Sequence, residues 1–161
     1  MKRVYFLRHG KAVSRAAWGD DDALRPLTPD GEVEMRREAK ALKGLGLAPD
    51  LIVTSPLERA RRTAAIVAEA LGLSDRLVED ERLAHGFDAR ALGRIAAAHP
   101  EAEHLMVVGH EPEFSAALAA LVGGGAYVIK KGGLARVDLP DQSLKRGVLV
   151  WLLTPALLGG E

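Results

Sequence analysis

Short apolar runs that alternate with helix-periodic stretches constrain this chain more than any other feature. Lys2 to Leu7 is nearly all apolar, as suits a strand covered on both faces. In "LTPDGEVEMRREAKALKGLGL" the period changes. Thr28 caps a helix, Pro29 takes its first position, and Met35, Ala39 and Leu42 mark an inward stripe. "DLIVTS" is a second strand. In "SPLERARRTAAIVAEALG" the reading is Ser55 as N-cap, Pro56 at the first position and Glu58 completing a capping box. Leu57, Ala60, Ala64, Val67 and Leu71 face inward there, and Gly72 ends the helix. "DRLVEDERL" is a short strand or extended segment, and "FDARALGRIAAAHP" a short helix that stops before Pro100. "EHLMVVGH" is another buried strand, followed by the helix "EPEFSAALAALVGG". "GGLARVDL" and "GVLVWLLT" form a hairpin across the polar turn "PDQSLKR". The expected fold is α/β: a three-layer α/β/α sandwich, its sheet mostly parallel with helices on both faces, closed by a C-terminal hairpin.

The 161 residues suit a single domain, 1–161, and 48% hydrophobic content supplies its core. Aromatics are only 4%, so Ala, Leu and Val fill that core, with Trp151 inside it and Trp18, in a polar loop, either capping it or serving as a protein contact. Lys+Arg and Asp+Glu both number 22, which removes any bulk electrostatic case for nucleic acid. Cysteine is absent, so there is no disulfide, thiolate ligand or thiol nucleophile. Arg8 interrupts the first apolar run too early for a signal peptide, and no run is long enough to cross a bilayer. A cytoplasmic protein without membrane contact is expected, monomeric or weakly homo-oligomeric. "VGGGAY" and "KKGG" are loops, with Lys130 and Lys131 solvated.

Ligands of such sheets sit outside the carboxyl ends of the strands. Arg8 and His9 follow the first strand, His110 follows "LMVVG", and Arg59 lies in the first turn after "LIVTS". All four are therefore expected at one sheet edge. Two arginines and two histidines repel one another unless an anion joins them, and guanidinium forks fit phosphate oxygens. Gly10 and Gly109 let the backbone come close. Singly, each residue has a plainer reading: Arg8 as a strand terminator, Arg59 as a solvated helix residue, either histidine as a hydrogen-bonded structural one. Arg61 and Arg62 read as a solvated face. Arg25 divides between substrate contact and a surface salt bridge. Lys11, Arg15 and Arg25 could form a cationic approach and His85 could line the rim, but for Lys11, Arg15 and His85 the plainer surface reading is preferred.

"FLRHG", "TSPLERARRTA" and "VVGHEPE" together resemble the histidine phosphatase superfamily, which includes phosphoglycerate mutases and acid phosphatases. Chain length, "RPLTPDG" after a short loop, and the small segment from Glu81 to His110 look most like its compact branch of bacterial phosphohistidine phosphatases. The resemblance implies that His9 is the nucleophile and that Arg8, Arg59 and His110 complete the phosphate pocket. It also implies an acidic proton donor, best matched by Glu81, with Glu79 and Asp80 as neighbouring alternatives. A neutral imidazole attacks phosphorus, arginines stabilise the equatorial oxygens, and a carboxyl group serves the leaving group and then water. No cofactor or metal is implied. The leading expectation is a cofactor-independent phosphatase acting on phosphohistidine in a protein. A small-molecule phosphomonoesterase and a non-catalytic phosphate-binding module remain the alternatives. A metal site from His9, His110 and Glu81 is disfavoured by the adjacent arginines.

Overall fold

The computed structural model describes residues 1–140 and 144–158. Ten regular elements follow one another: β1 (Lys2–Arg8), α1 (Pro29–Gly44), β2 (Leu51–Thr54), α2 (Glu58–Leu71), β3 (Leu77–Glu79), α3 (Ala89–Ala98), β4 (His104–Gly109), α4 (Glu113–Val122), β5 (Leu134–Leu139) and β6 (Val148–Leu153). The strands form one sheet in the order β3-β2-β4-β1-β5-β6. β3, β2, β4 and β1 run parallel, while β5 and β6 are antiparallel to their neighbours. This is the three-layer α/β/α sandwich with its C-terminal hairpin. Residues 141–143 of the expected hairpin turn lie outside the described residues.

Side chains alternate across the sheet and divide the core in two. Val4 and Phe6 of β1 join Val107, Leu92, Ile95 and Leu118 beneath α3 and α4. Tyr5 and Leu7 join Met106, Met35, Leu42 and Val67 beneath α1 and α2. Phe6, Phe87 and Phe114 pack edge to face, with Phe6 and Phe114 centroids 5.3 Å apart. Trp151, expected in the core, is only partly buried, because it stands on the edge strand β6 and has Tyr5 on one side at 5.9 Å. Trp18 is also partly buried, its indole N–H donating to the Asp21 carbonyl at 2.9 Å.

N-cap side chains cap the starts of α1 and α3 but not those of α2 and α4. Thr28 accepts the Gly31 N–H at 2.9 Å at the head of α1, as expected. Asp88 caps α3 through the Ala91 N–H. α2 begins two residues later than the expected Ser55 cap and Pro56 start, at Glu58. Leu57, buried and extended at ψ 136°, is its N-cap, and no side chain caps it. Ser55 instead turns its hydroxyl to the Leu57 N–H and to His110.

The α1 stripe holds a residue that periodicity did not mark. Glu38 is 2% exposed, and neither carboxyl oxygen has a hydrogen-bond partner. A Cβ placed on Gly132 would lie 3.2 Å from its Oε1. Gly132 has φ +75°, which suits glycine, and this conformation brings the Lys130–Gly133 turn down onto α1. Burial, reinforced by Glu34, pushes the Glu38 carboxyl up to about 8.

Candidate active site

The carboxyl ends of β1 and β4 are adjacent and in register, Arg8 opposite Gly109. The next residues of both strands, His9 and His110, therefore emerge side by side, with ring centroids 5.2 Å apart. Backbone bonds hold His9 on both sides: its N–H donates to Gly109 at 3.1 Å, and its carbonyl accepts from Gly132 at 3.0 Å. Gly109 is required here for packing, since a Cβ would meet Phe114 at 2.8 Å. Arg59 arrives from the first turn of α2. Thr63, one turn further on, accepts the Gly10 N–H at 3.0 Å and donates to the Arg59 carbonyl at 2.8 Å, tying helix to strand end.

These four residues wall a cleft of about 230 Å³, together with Arg15, Arg25, His85, Glu111, Glu113 and Lys131. Of the three residues considered for a cationic approach, Arg15 and Arg25 line the cleft. Lys11 is exposed and does not line it, whereas Lys131, read as solvated, does. Glu81 is exposed in a short 3₁₀ turn, Glu81–Leu83, and is not part of the cleft wall. Its neighbours are engaged elsewhere: Asp80 with Arg82 at 2.8 Å, Glu79 with Arg61 at 2.9 Å.

The His9 tautomer follows from its neighbour. Nδ1 lies 2.7 Å from the Gly10 carbonyl, which can only accept, so Nδ1 carries the proton and Nε2 keeps its lone pair. Burial is the largest influence on this ring, and Arg59, Arg8 and Arg25 act the same way against the opposing Gly10 bond. His9 falls from an ordinary 6.5 to about 4 and is neutral at pH 7. His110 falls to about 3, first through burial and then through His9, Arg59 and His85. Its Nε2 is 2.8 Å from Ser55 Oγ. Ser55 is fully buried, so its hydroxyl hydrogen needs an acceptor inside the protein, and His110 Nε2 is the one within reach. That leaves the His110 proton on Nδ1, a buried donor without a partner.

The arginines present the same surplus of donors. Arg8 donates through Nη1 to Ile129 O at 2.9 Å, but its Nε is buried and unpaired. Arg59 donates to the Asp22 carbonyl at 3.0 Å and carboxylate at 3.3 Å, and its Nε is likewise unpaired. Burial pulls both guanidiniums below their ordinary value, a cost that an anion offsets. Arg25 donates to Asp22 at 3.0 Å and to Val13 O at 2.8 Å. Asp22, which the sequence did not single out, is thus paired with three of the cleft arginines, Arg25, Arg59 and, at 3.8 Å, Arg15. Those contacts, led by the Arg25 hydrogen bond, hold its carboxyl below the usual range. Among the described residues, no group of three His, Asp or Glu side chains is placed to hold a metal ion.

A neutral imidazole of fixed tautomer, ringed by unpaired cationic donors at the ends of parallel strands, can hold an anion such as a phosphoryl group and offer it a nucleophilic nitrogen. The sequence profile of the histidine phosphatase superfamily (branch 1) matches residues 4–85. An uncharacterized protein of Picosynechococcus sp. is 38% identical over 81% of this chain and 81% of its own length. The 2,3-bisphosphoglycerate-dependent phosphoglycerate mutase of Thermobifida fusca is 42% identical over 45% of this chain, but over only 30% of the mutase. The solved structure of the protein histidine phosphatase SixA complexed with tungstate has a TM-score of 0.84 and 28% identity, covering 97% of this chain and 99% of that one. This chain belongs to the histidine phosphatase superfamily, and its fold matches the compact SixA-like branch. It is a hydrolase of the histidine phosphatase type.

Proposed function

We propose that this protein hydrolyses phosphohistidine carried by another protein, by way of a phosphorylated His9. The observation that carries this reading is the His9 tautomer: Nδ1–H donates to Gly10, and Nε2 is free to attack in a cleft lined by Arg8, Arg59 and His110. Similarity to the protein histidine phosphatase SixA along nearly the whole chain supports the substrate class. So does the small cleft, which suits a phosphoryl group and one ring while the rest of a protein substrate stays outside. His9 Nε2 bonds to phosphorus as the P–N bond of the substrate breaks, and the departing imidazole takes a proton from solvent. Arg8 and Arg59 bind the equatorial oxygens, joined by the His110 Nδ1–H. Water then attacks phospho-His9, a carboxylate accepts its proton, and inorganic phosphate leaves. Among the described residues no helix is long and apolar enough to cross a membrane, and the reading places the protein in the cytoplasm as a monomer or weak homo-oligomer.

The test compares a phosphohistidine protein, a phosphoserine peptide and small phosphomonoesters at equal concentration, with rapid acid-free quenching. Wild type is expected to prefer the phosphohistidine protein and to yield an acid-labile, base-stable phosphoenzyme. His9→Ala is expected to lose both. Undiminished turnover in His9→Ala refutes the mechanism, and a preference for small phosphomonoesters refutes the substrate class.

A further inference from the structure

Resting on that reading, we infer that Glu113 is the carboxylate that takes the proton of the attacking water when phospho-His9 is hydrolysed. Two carboxylates line the cleft, Glu111 and Glu113, and they differ in what they already do. Glu111 is occupied at both oxygens: Oε1 accepts the Ser115 N–H at 2.8 Å and Oε2 accepts the Ser115 hydroxyl. It serves the first turn of α4. Glu113 also lines the cleft, and its Oε2 is buried without a hydrogen bond, so this carboxylate is not committed to the protein as Glu111 is. The other nearby acids are spoken for or misplaced. Asp22 is held by Arg25 and Arg59, Asp80 by Arg82 and Glu79 by Arg61, while Glu81 is outside the cleft wall.

The position follows from the fold. The segment after His110 turns directly into α4, so Glu113 and His110 are three residues apart around one strand end. The Phe114 N–H donates to the His110 carbonyl at 3.0 Å, and Phe114 is locked beneath Gly109, which fixes where its neighbour Glu113 starts. In the second displacement a water oxygen forms the new P–O bond and the P–Nε2 bond breaks. Its electron pair returns to His9, the water proton passes to Glu113, and that proton later leaves to solvent. One uncommitted carboxylate serves the water, and the second that lines the cleft, Glu111, is held by Ser115 and does not serve the leaving group. That arrangement suits substrates with good leaving groups, such as the imidazole of a phosphoramidate, over alkyl phosphates.

Glu113→Gln separates the two displacements. With a nitrophenyl phosphate or a phosphohistidine peptide, the variant is expected to give a burst of about one product per chain. A steady state reduced on the order of a hundredfold should follow, with phosphoenzyme accumulating. The deficit is expected to narrow as pH rises, because hydroxide replaces the activated water. A merely structural role for Glu113 would not trap phosphoenzyme. Wild-type turnover without accumulation in Glu113→Gln overturns this assignment alone, provided wild type forms the intermediate. Accumulation in Glu111→Gln or Glu81→Gln but not in Glu113→Gln transfers the role and also overturns it. Failure of wild type to form any phosphoenzyme refutes the covalent reading, and Glu113 falls with it.

Discussion

Glu38→Gln is expected to leave stability nearly unchanged at low pH and to raise it at neutral pH. The carboxyl is buried without a partner on either oxygen, so the folded protein holds it in the protonated form. Its folded-state value is about 8 against an ordinary 4.5. A raised carboxyl is fully compatible with folding below its unfolded value, and stability is lost as pH rises from there through the folded value. Between about pH 5 and about pH 7.5 the linkage amounts to about 3 kcal/mol. Glutamine has the shape of the protonated acid and does not ionise, so the variant escapes this loss. His9 and His110 work in the opposite direction. Their values are lowered to about 4 and about 3, so they add stability above 6.5 and lose it as pH falls through the lowered values. The raw wild-type profile is therefore a sum of opposing slopes. The gap between wild type and variant cancels the histidines and isolates Glu38. Urea unfolding at several pH values, with unchanged m-values, measures it. A gap that stays constant with pH would refute the argument that Glu38 is buried as the acid.

Two further outcomes follow from the hydrogen bonds of the site. Ser55→Ala removes the 2.8 Å bond that sets the His110 tautomer. It is expected to reduce kcat/KM by roughly tenfold and stability by about 1 kcal/mol, read by steady-state kinetics and urea unfolding, and unchanged kinetics would show that Ser55 does not orient His110. Because His9 is held near 4, the acid limb of kcat/KM should lie well below the ordinary histidine value of 6.5. A pH–rate profile on an aryl phosphate reads this limb directly, and half-loss at 6.5 would mean that burial and the arginines do not keep His9 neutral.

The strand–helix alternation was legible because it is written locally: apolar runs of four to seven residues and caps such as Thr28 carry their own signal. The convergence of Arg8, His9, Arg59 and His110 was legible because the carboxyl-end rule converts strand order into proximity. What escaped notice depends on distant segments. Ser55 has every local mark of a helix cap, yet its hydroxyl is drawn to a histidine 55 residues away. Asp22 sits among three consecutive aspartates, and only the position of Arg25 and Arg59 distinguishes it from Asp20 and Asp21. The run Glu79–Glu81 offered three acids, and the path of the chain directs none of them into the cleft wall. Glu111 and Glu113 stood inside a quoted motif, but a sequence does not state which carboxylate oxygen is already occupied. Glu38 was hidden in an otherwise regular stripe, because Gly132 closes over it from the far end of the chain.

The register between β1 and β4 also determines how the protein wears out. His9 and His110 hang from the two central strands, each paired on both sides, and not from a loop that can open alone. Separating the two rings requires breaking the middle of the ladder, and the middle of a sheet opens last. Heat should therefore abolish activity and melt the molecule together, with no warm, folded, inactive form in between. The amides of Leu7 and Val108 should exchange with solvent as slowly as any in the chain.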